Sequence, residues 1–179
     1  KHGYSICIST QVGCRMGCTF CATGKSGFSR NLTASEMLAQ MQSAQKDLGI
    51  QISNIVLMGM GEPLDNYQQV LRFLELVSSD EGMNIGMRHI SVSTCGIVDK
   101  IYDMANRKLQ CTLSVSLHAP NDNLRSQTMP INKKWGVAQL LKACKYYSDT
   151  TRRRISFEYA MISGLNDSDA QAQELAGKL

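Results

Sequence analysis

The sequence predicts an α/β fold built on a parallel sheet, and three observations carry that prediction. Short apolar or alternating stretches are each followed by a segment of helical period, five times in succession. The polar and glycine-rich segments come directly after the strands, where α/β proteins build their sites. The composition, 43% hydrophobic over 179 residues, suits one domain with an apolar core. Alternation with right-handed crossovers leads to a doubly wound open sheet or to a barrel, and periodicity alone does not separate them.

Taken in order, Tyr4 to Ser9 reads as the first strand. Thr33 to Leu48 reads as its helix, opened by Thr33-Ala34-Ser35-Glu36 with the spacing of a capping box. Asn54 to Met58 is an apolar burst before a glycine-rich turn, and Gln68 to Val77 places Val70, Leu71, Phe73, Leu74 and Val77 at helical spacing. His89 to Ser93 alternates like a strand, ends at Thr94-Cys95-Gly96, and leads into a helix over Val98 to Asn106. Cys111 to Leu117 is a fourth strand, His118 to Asp122 a loop, and Gly136 to Tyr147 a helix. Ile155 to Met161 is the fifth strand, and Ser163 to Ser168 leads into a last helix.

No run of about 18 apolar residues is present and the first residues do not form a secretory signal, so a cytoplasmic address without membrane attachment is expected. Seven cysteines, an odd number clustered toward one end, make a poor disulfide framework and fit thiolates kept reduced for metal or redox chemistry. The net charge of +4 is modest. Arg15, Lys25, Arg30, Lys133, Lys134 and the run Arg152 to Arg154 are candidates for phosphate contacts, and each taken singly is also ordinary surface charge.

Cys14-Arg-Met-Gly-Cys18-Thr-Phe-Cys21 puts three thiols within eight residues, in a segment from Gln11 to Cys21 that reads as the loop after the first strand. Three thiolates on a four-iron cubane leave one iron open to an exogenous ligand. The competing readings are a zinc site or a closed electron-transfer cluster, with Cys7 or His2 as a fourth ligand.

The cluster motif, preceded by Cys-Ile-Ser-Thr-Gln-Val-Gly and followed by Ala-Thr-Gly-Lys-Ser-Gly-Phe-Ser-Arg-Asn-Leu-Thr, resembles the dual-specificity radical S-adenosylmethionine methyltransferases that methylate carbon 2 of adenosine in 23S rRNA and tRNA. The resemblance continues in order through Met58 to Leu64, Ser93 to Gly96, Ser116 to Asp122 and Met129 to Lys134. It implies a partial (β/α)6 TIM-like barrel of the radical SAM type, with about five strand-helix units in residues 1–179. It also implies an N-terminal accessory domain and a C-terminal region outside this chain. The implied cofactors are a [4Fe-4S] cluster on Cys14, Cys18 and Cys21, and S-adenosylmethionine.

By the same resemblance, Gly61 and Glu62 meet the methionine ammonium, while Ser93 and the segment Ser116, Leu117, His118 contact the ribose and methionine parts of that cofactor. Cys7 stands at the family's offset before the first cluster ligand. The implied route is ping-pong: a C-terminal cysteine beyond Leu179 is methylated, a radical forms on that methyl group and adds to adenine, and Cys7 removes the proton at carbon 2 to free the RNA. A chain ending at Leu179 is then expected not to complete methyl transfer. RNA, an electron donor such as flavodoxin, and a monomeric state complete the expectation. The alternatives are methylation at carbon 8 of adenosine, which confers antibiotic resistance, and a non-catalytic electron-transfer module. An RNA-binding remnant without catalysis is a third.

Overall fold

Alternating strand and helix segments are realised as one parallel sheet in the computed structural model, which describes residues 3–179. His2, named above as a fourth-ligand candidate, lies outside the described residues. The elements run β1 (Tyr4–Cys7), β2 (Gln11–Gly13), α1 (Ala22–Lys25), β3 (Phe28–Asn31), α2 (Ala34–Leu48), β4 (Ile52–Leu57) and α3 (Tyr67–Ser78). They continue with β5 (Ile90–Thr94), α4 (Val98–Asn106), β6 (Thr112–Ser116), α5 (Asp122–Thr128), α6 (Val137–Thr151), β7 (Ile155–Glu158) and α7 (Asp169–Ala176). No helix among them is long and apolar enough to cross a membrane.

The strand order β1-β4-β5-β6-β7 decides between the two topologies that periodicity left open. Each parallel strand lies beside its predecessor, with no reversal of direction. A doubly wound sheet requires such a reversal at its switch point, whereas a barrel winds one way throughout. The result is five units of a partial barrel.

Register then sorts the side chains, because strand residues alternate between faces. Cys7 pairs with Val56 and Val56 with Ser91; Ser93 pairs with Ser114, and Ser116 with Glu158. Cys7, Val56, Ser91, Ser93, Ser114, Ser116 and Glu158 therefore share one face, and it is polar except at Val56. On the opposite face Ile55, Leu57, Ile90, Val92, Leu113 and Val115 are buried in the core with Met37, Met41, Phe73, Ile101, Leu140 and Tyr147 of the helices. All the helix-covering hydrophobic burial is thus on the outside of the sheet, which leaves the inner face free for polar groups.

The capping box expected at the start of α2 is present: the Glu36 backbone N–H donates to Thr33 Oγ1 and the Thr33 N–H to Glu36 Oε2. Several boundaries move. The first strand stops at Cys7 instead of Ser9, because the Ser9 N–H leaves the ladder and donates to Gln40 Oε1 at 2.8 Å. The second lies at Ile52–Leu57, with Met58 exposed in the turn that follows. The fifth ends at Glu158 instead of Met161, since the Ala160 N–H donates to His118 Nδ1 at 2.9 Å. The helix read to end at Tyr147 continues to Thr151 and stops at Arg152, whose φ of 58° is left-handed.

Four short elements, β2, α1, β3 and α5, have no counterpart in the sequence reading. The segment from Gln11 contains β2, which pairs antiparallel with β3, and the segment after Asn121 forms the seven-residue helix α5. Three-residue strands and two-turn helices carry too few periods to register as patterns.

Candidate cofactor site

The hairpin β2–β3 explains how the cysteine motif is held. Its connection, residues 14–27, carries all three clustered cysteines, and the Cys14 N–H donates to the Gly27 carbonyl at 2.9 Å. The two chains approach so closely that a Cβ on Gly13 would stand 1.9 Å from the Gly27 oxygen, and Gly13 has φ +77°. Only glycine meets both conditions. Within the loop the Cys21 N–H donates to the Cys18 carbonyl at 3.1 Å, and the Thr19 N–H reaches the Thr128 carbonyl of α5 at 2.9 Å.

Above the carboxyl ends of the strands lies a cavity of about 310 Å³. Cys14, Cys18 and Cys21 line it together with Gly61, Glu62, Ser93, Ser116 and His118. Two residues named from the sequence do not line it. Leu117 is a core residue, its N–H donating to the Glu158 carbonyl and its carbonyl accepting from Arg125. Cys7 is exposed at the end of the edge strand β1, on the same face of the sheet as the lining serines.

The three thiols are free and half-buried. Burial, then the neighbouring thiols, pushes Cys18 up to about 11; burial, opposed by a hydrogen bond from the Met16 backbone, also raises Cys14. Such thiols stay protonated until a metal displaces the proton. Among the described residues no three His, Cys, Asp or Glu side chains are set to ligate one ion. The donor set fits a cluster, whose thiolates occupy separate corners, in a loop closed by the hairpin and open to a cavity lined by polar strand ends. Cys95, Cys111 and Cys144 are buried.

Glu62 is fully buried, and burial is the main influence, raising its pKa against the hydrogen bonds that lower it. Its Oε1 accepts from the Leu64 N–H at 2.9 Å and its Oε2 from the Cys95 N–H at 2.7 Å. Its own N–H donates to Gln11 Oε1 at 2.9 Å. The buried Gln11 amide also donates to Asn31 Oδ1 and Asp65 Oδ2, so one side chain joins the hairpin to the glycine-rich turn. The Thr94 and Cys95 side chains also interact with the Glu62 carboxylate, and Glu62 is among the residues lining the cavity.

His118 has φ 55° and its ring meets Phe20 edge-on, centroids 4.9 Å apart. Because Nδ1 accepts from the Ala160 N–H, the ring proton belongs on Nε2. Burial, then the charge of Arg125, lowers its pKa from 6.5 to about 4. The unfolded chain takes up a proton that the folded protein refuses, so stability falls as pH drops from about 6.5 toward 4 and is unaffected above that window. Urea midpoints recorded across that range should slope for the wild type and flatten for His118→Asn, which tolerates the left-handed backbone.

Glu158 is the site residue that sequence reading missed. Its Oε2 accepts from Ser116 Oγ at 3.1 Å and, at 3.5 Å, from Ser93 Oγ, and it lines the cavity. An acidic residue alternating with Ser156 was a visible signal, hidden by reading the strand on to Met161. Among the basic candidates, Arg15 pairs with Asp65 at 2.9 Å and lies over Phe28, while Arg30 pairs with Glu36. Lys134 lies over the Trp135 ring. Lys25, Lys133, Arg152 and Arg154 are exposed.

Residues 8–176 match the family described as the Radical SAM superfamily. The chain is 57% identical over 175 residues to a protein of Clostridium novyi (strain NT) named probable dual-specificity RNA methyltransferase RlmN, covering 98% of this chain and 51% of that protein. It is 56% identical over 176 residues to a protein of the same name from Clostridium botulinum (strain Langeland), covering 98% and 52%. A crystal structure of a radical SAM methyltransferase from Sphaerobacter thermophilus matches at TM-score 0.93 and 49% identity, covering 98% of this chain and 52% of that one. A mutant spore photoproduct lyase matches at TM-score 0.60 and 15% identity over 97% of this chain and 52% of that one, which shows the fold alone. The chain thus spans about half the length of the curated relatives it matches.

Proposed function

The chain belongs to the radical SAM superfamily, whose enzymes use a [4Fe-4S] cluster and S-adenosylmethionine, and from that premise we propose that it is the catalytic core of an RNA methyltransferase acting on carbon 2 of adenosine in 23S rRNA and tRNA. The observation that carries the reading is the meeting of Cys14, Cys18 and Cys21 with Gly61, Glu62, Ser93, Ser116 and His118 on one cavity at the carboxyl edge.

When bound, the cluster would supply the electron for reductive cleavage of S-adenosylmethionine. The protein's own residues bind and orient. Cys14, Cys18 and Cys21 hold the cluster. Glu62, already fixed by two backbone amides, accepts from the methionine ammonium. Ser93, Ser116 and Glu158 offer hydroxyl and carboxylate partners to polar groups of the same molecule. His118 stays neutral and offers its Nε2–H. Leu117 packs beneath this wall. Cys7, exposed on the open edge of the partial barrel, has access to a macromolecular substrate and takes the proton at carbon 2. The target adenosine leaves its stack to reach the site. Exposed Lys25, Lys133, Arg152 and Arg154 are available to RNA phosphates. The protein works as a monomer in the cytoplasm, with a flavodoxin-like electron donor.

The test exchanges residues 1–179 for the matching segment of the Clostridium novyi relative and follows labelled methyl transfer from S-adenosylmethionine into 23S rRNA and tRNA. Digestion to nucleosides should yield 2-methyladenosine. Label at carbon 8 would replace the positional assignment, and cofactor cleavage without any RNA label would end the methyltransferase reading. In the same chimera Cys7→Ala should retain the cluster and accumulate RNA covalently attached to protein, read as a slow band on a denaturing gel. Normal release of methylated RNA from that variant would remove Cys7 from the mechanism.

A further inference from the structure

The helix that the sequence reading missed, α5, carries a group the proposed chemistry does not use. Arg125 is 0% exposed. Its Nε donates to the Leu117 carbonyl at 3.0 Å, and its Nη1 to Asn132 Oδ1 at 3.0 Å. Its Nη2 donates to the Cys95 carbonyl at 2.6 Å and to the Ser116 carbonyl at 3.0 Å. All four acceptors are neutral oxygens, and Arg125 belongs to none of the ion pairs among the described residues. A guanidinium keeps its proton, so this is a permanent positive charge buried without a direct counterion.

Two negative groups stand one residue away from Arg125: Asp122, whose Oδ1 accepts from Asn132 Nδ2 at 3.1 Å, and Glu62 on the cavity side. Cys95 joins it to Glu62, accepting from Arg125 through its carbonyl and donating its N–H to the Glu62 carboxylate. On the other side the same helix accepts the Thr19 N–H, immediately after Cys18, through the Thr128 carbonyl. Cys18 lies within reach of the Arg125 charge. The guanidinium therefore sits behind the wall of the cavity that Cys95 and Ser116 form, on the helix that braces the cysteine loop.

We propose that Arg125 is a positioning residue whose buried charge offsets the negative charge gathered at the thiol end of the cavity and raises the reduction potential of the cluster held there. The inference rests on the cluster reading given above. One-electron reduction makes a thiolate-held cluster more negative, and a fixed cation in a poorly screened interior favours that form.

The test is a redox titration of the anaerobically reconstituted protein, followed by electron paramagnetic resonance, in wild type, Arg125→Lys, Arg125→Gln and Arg125→Met. The neutral variants should need a potential about 59 mV lower, a tenfold smaller reduced-to-oxidised ratio at fixed potential for one electron. Lysine, which keeps the charge and loses the fork of bonds, should stay near wild type. Circular dichroism establishes folding, and methionine stands in if the glutamine form does not fold. Equal potentials in all forms, an equal drop for lysine and the neutral variants, or loss of the fold in both neutral variants would make Arg125 a structural clamp and overturn the proposal. A wild-type protein that takes up no cluster would instead fail the reading beneath it.

Discussion

Alanine at any one of Cys14, Cys18 or Cys21 is expected to abolish the absorbance and paramagnetic signal of the reconstituted cluster and to reduce cofactor cleavage to background. The apoprotein should meanwhile lose no more than about 1 kcal/mol of stability. Each thiol is half-buried in a loop whose shape is set elsewhere, by the β2–β3 pairing and the contact between Gly13 and Gly27. Removing one sulfur leaves that frame intact but leaves an iron corner without its thiolate, and the hard chemical step belongs to the cofactor. Cys7→Ala is the control, because Cys7 lies on β1 and not on the cavity. A cluster of unchanged yield and spectrum in any of the three single variants would refute the assignment of that cysteine.

Glu62 should give the second large effect, in two separable parts. Glu62→Ala strips the acceptor from two backbone amides, those of Leu64 and Cys95, in a fully buried position. At about 1–3 kcal/mol for each unsatisfied group, the loss is roughly 2–6 kcal/mol, a large share of the stability of a domain this size. Glu62→Gln keeps the shape and one acceptor but turns a donor toward the other amide, for a loss of about 1–3 kcal/mol. The glutamine also removes the charge offered to the methionine ammonium, so S-adenosylmethionine affinity should fall about 10- to 100-fold in folded, cluster-loaded protein, from the roughly 1.5–3 kcal/mol of a charged hydrogen bond. Equilibrium binding measured beside a urea titration separates the parts. Unchanged affinity with reduced stability would restrict Glu62 to building the turn.

The double use of Glu62 shows where sequence reading reaches its limit. The Gly61-Glu62-Pro63 turn was visible as a turn and as a cofactor contact by resemblance. Its hydrogen bonds from the Cys95 N–H and to Gln11 Oε1 span 33 and 51 residues and leave no local trace. Arg125 illustrates the same limit: an arginine in a polar segment reads as surface charge, and only the packing of α5 against the ends of β5 and β6 buries it. Glu158 was within reach of the alternation rule but for a boundary misplaced by three residues.

The sequence by itself determined the alternation of strand and helix, the capping box on α2, and the grouping of Cys14, Cys18 and Cys21, because these depend on neighbours within one turn or one loop. The tertiary structure alone decided that the strands follow one another without reversal, that the inner face is largely polar, and that Cys7 stays on the edge and Leu117 in the core while the other site candidates reach the cavity. Those outcomes depend on which strands pair and in what register, and a shift of one residue would turn every side chain of a strand to the other face.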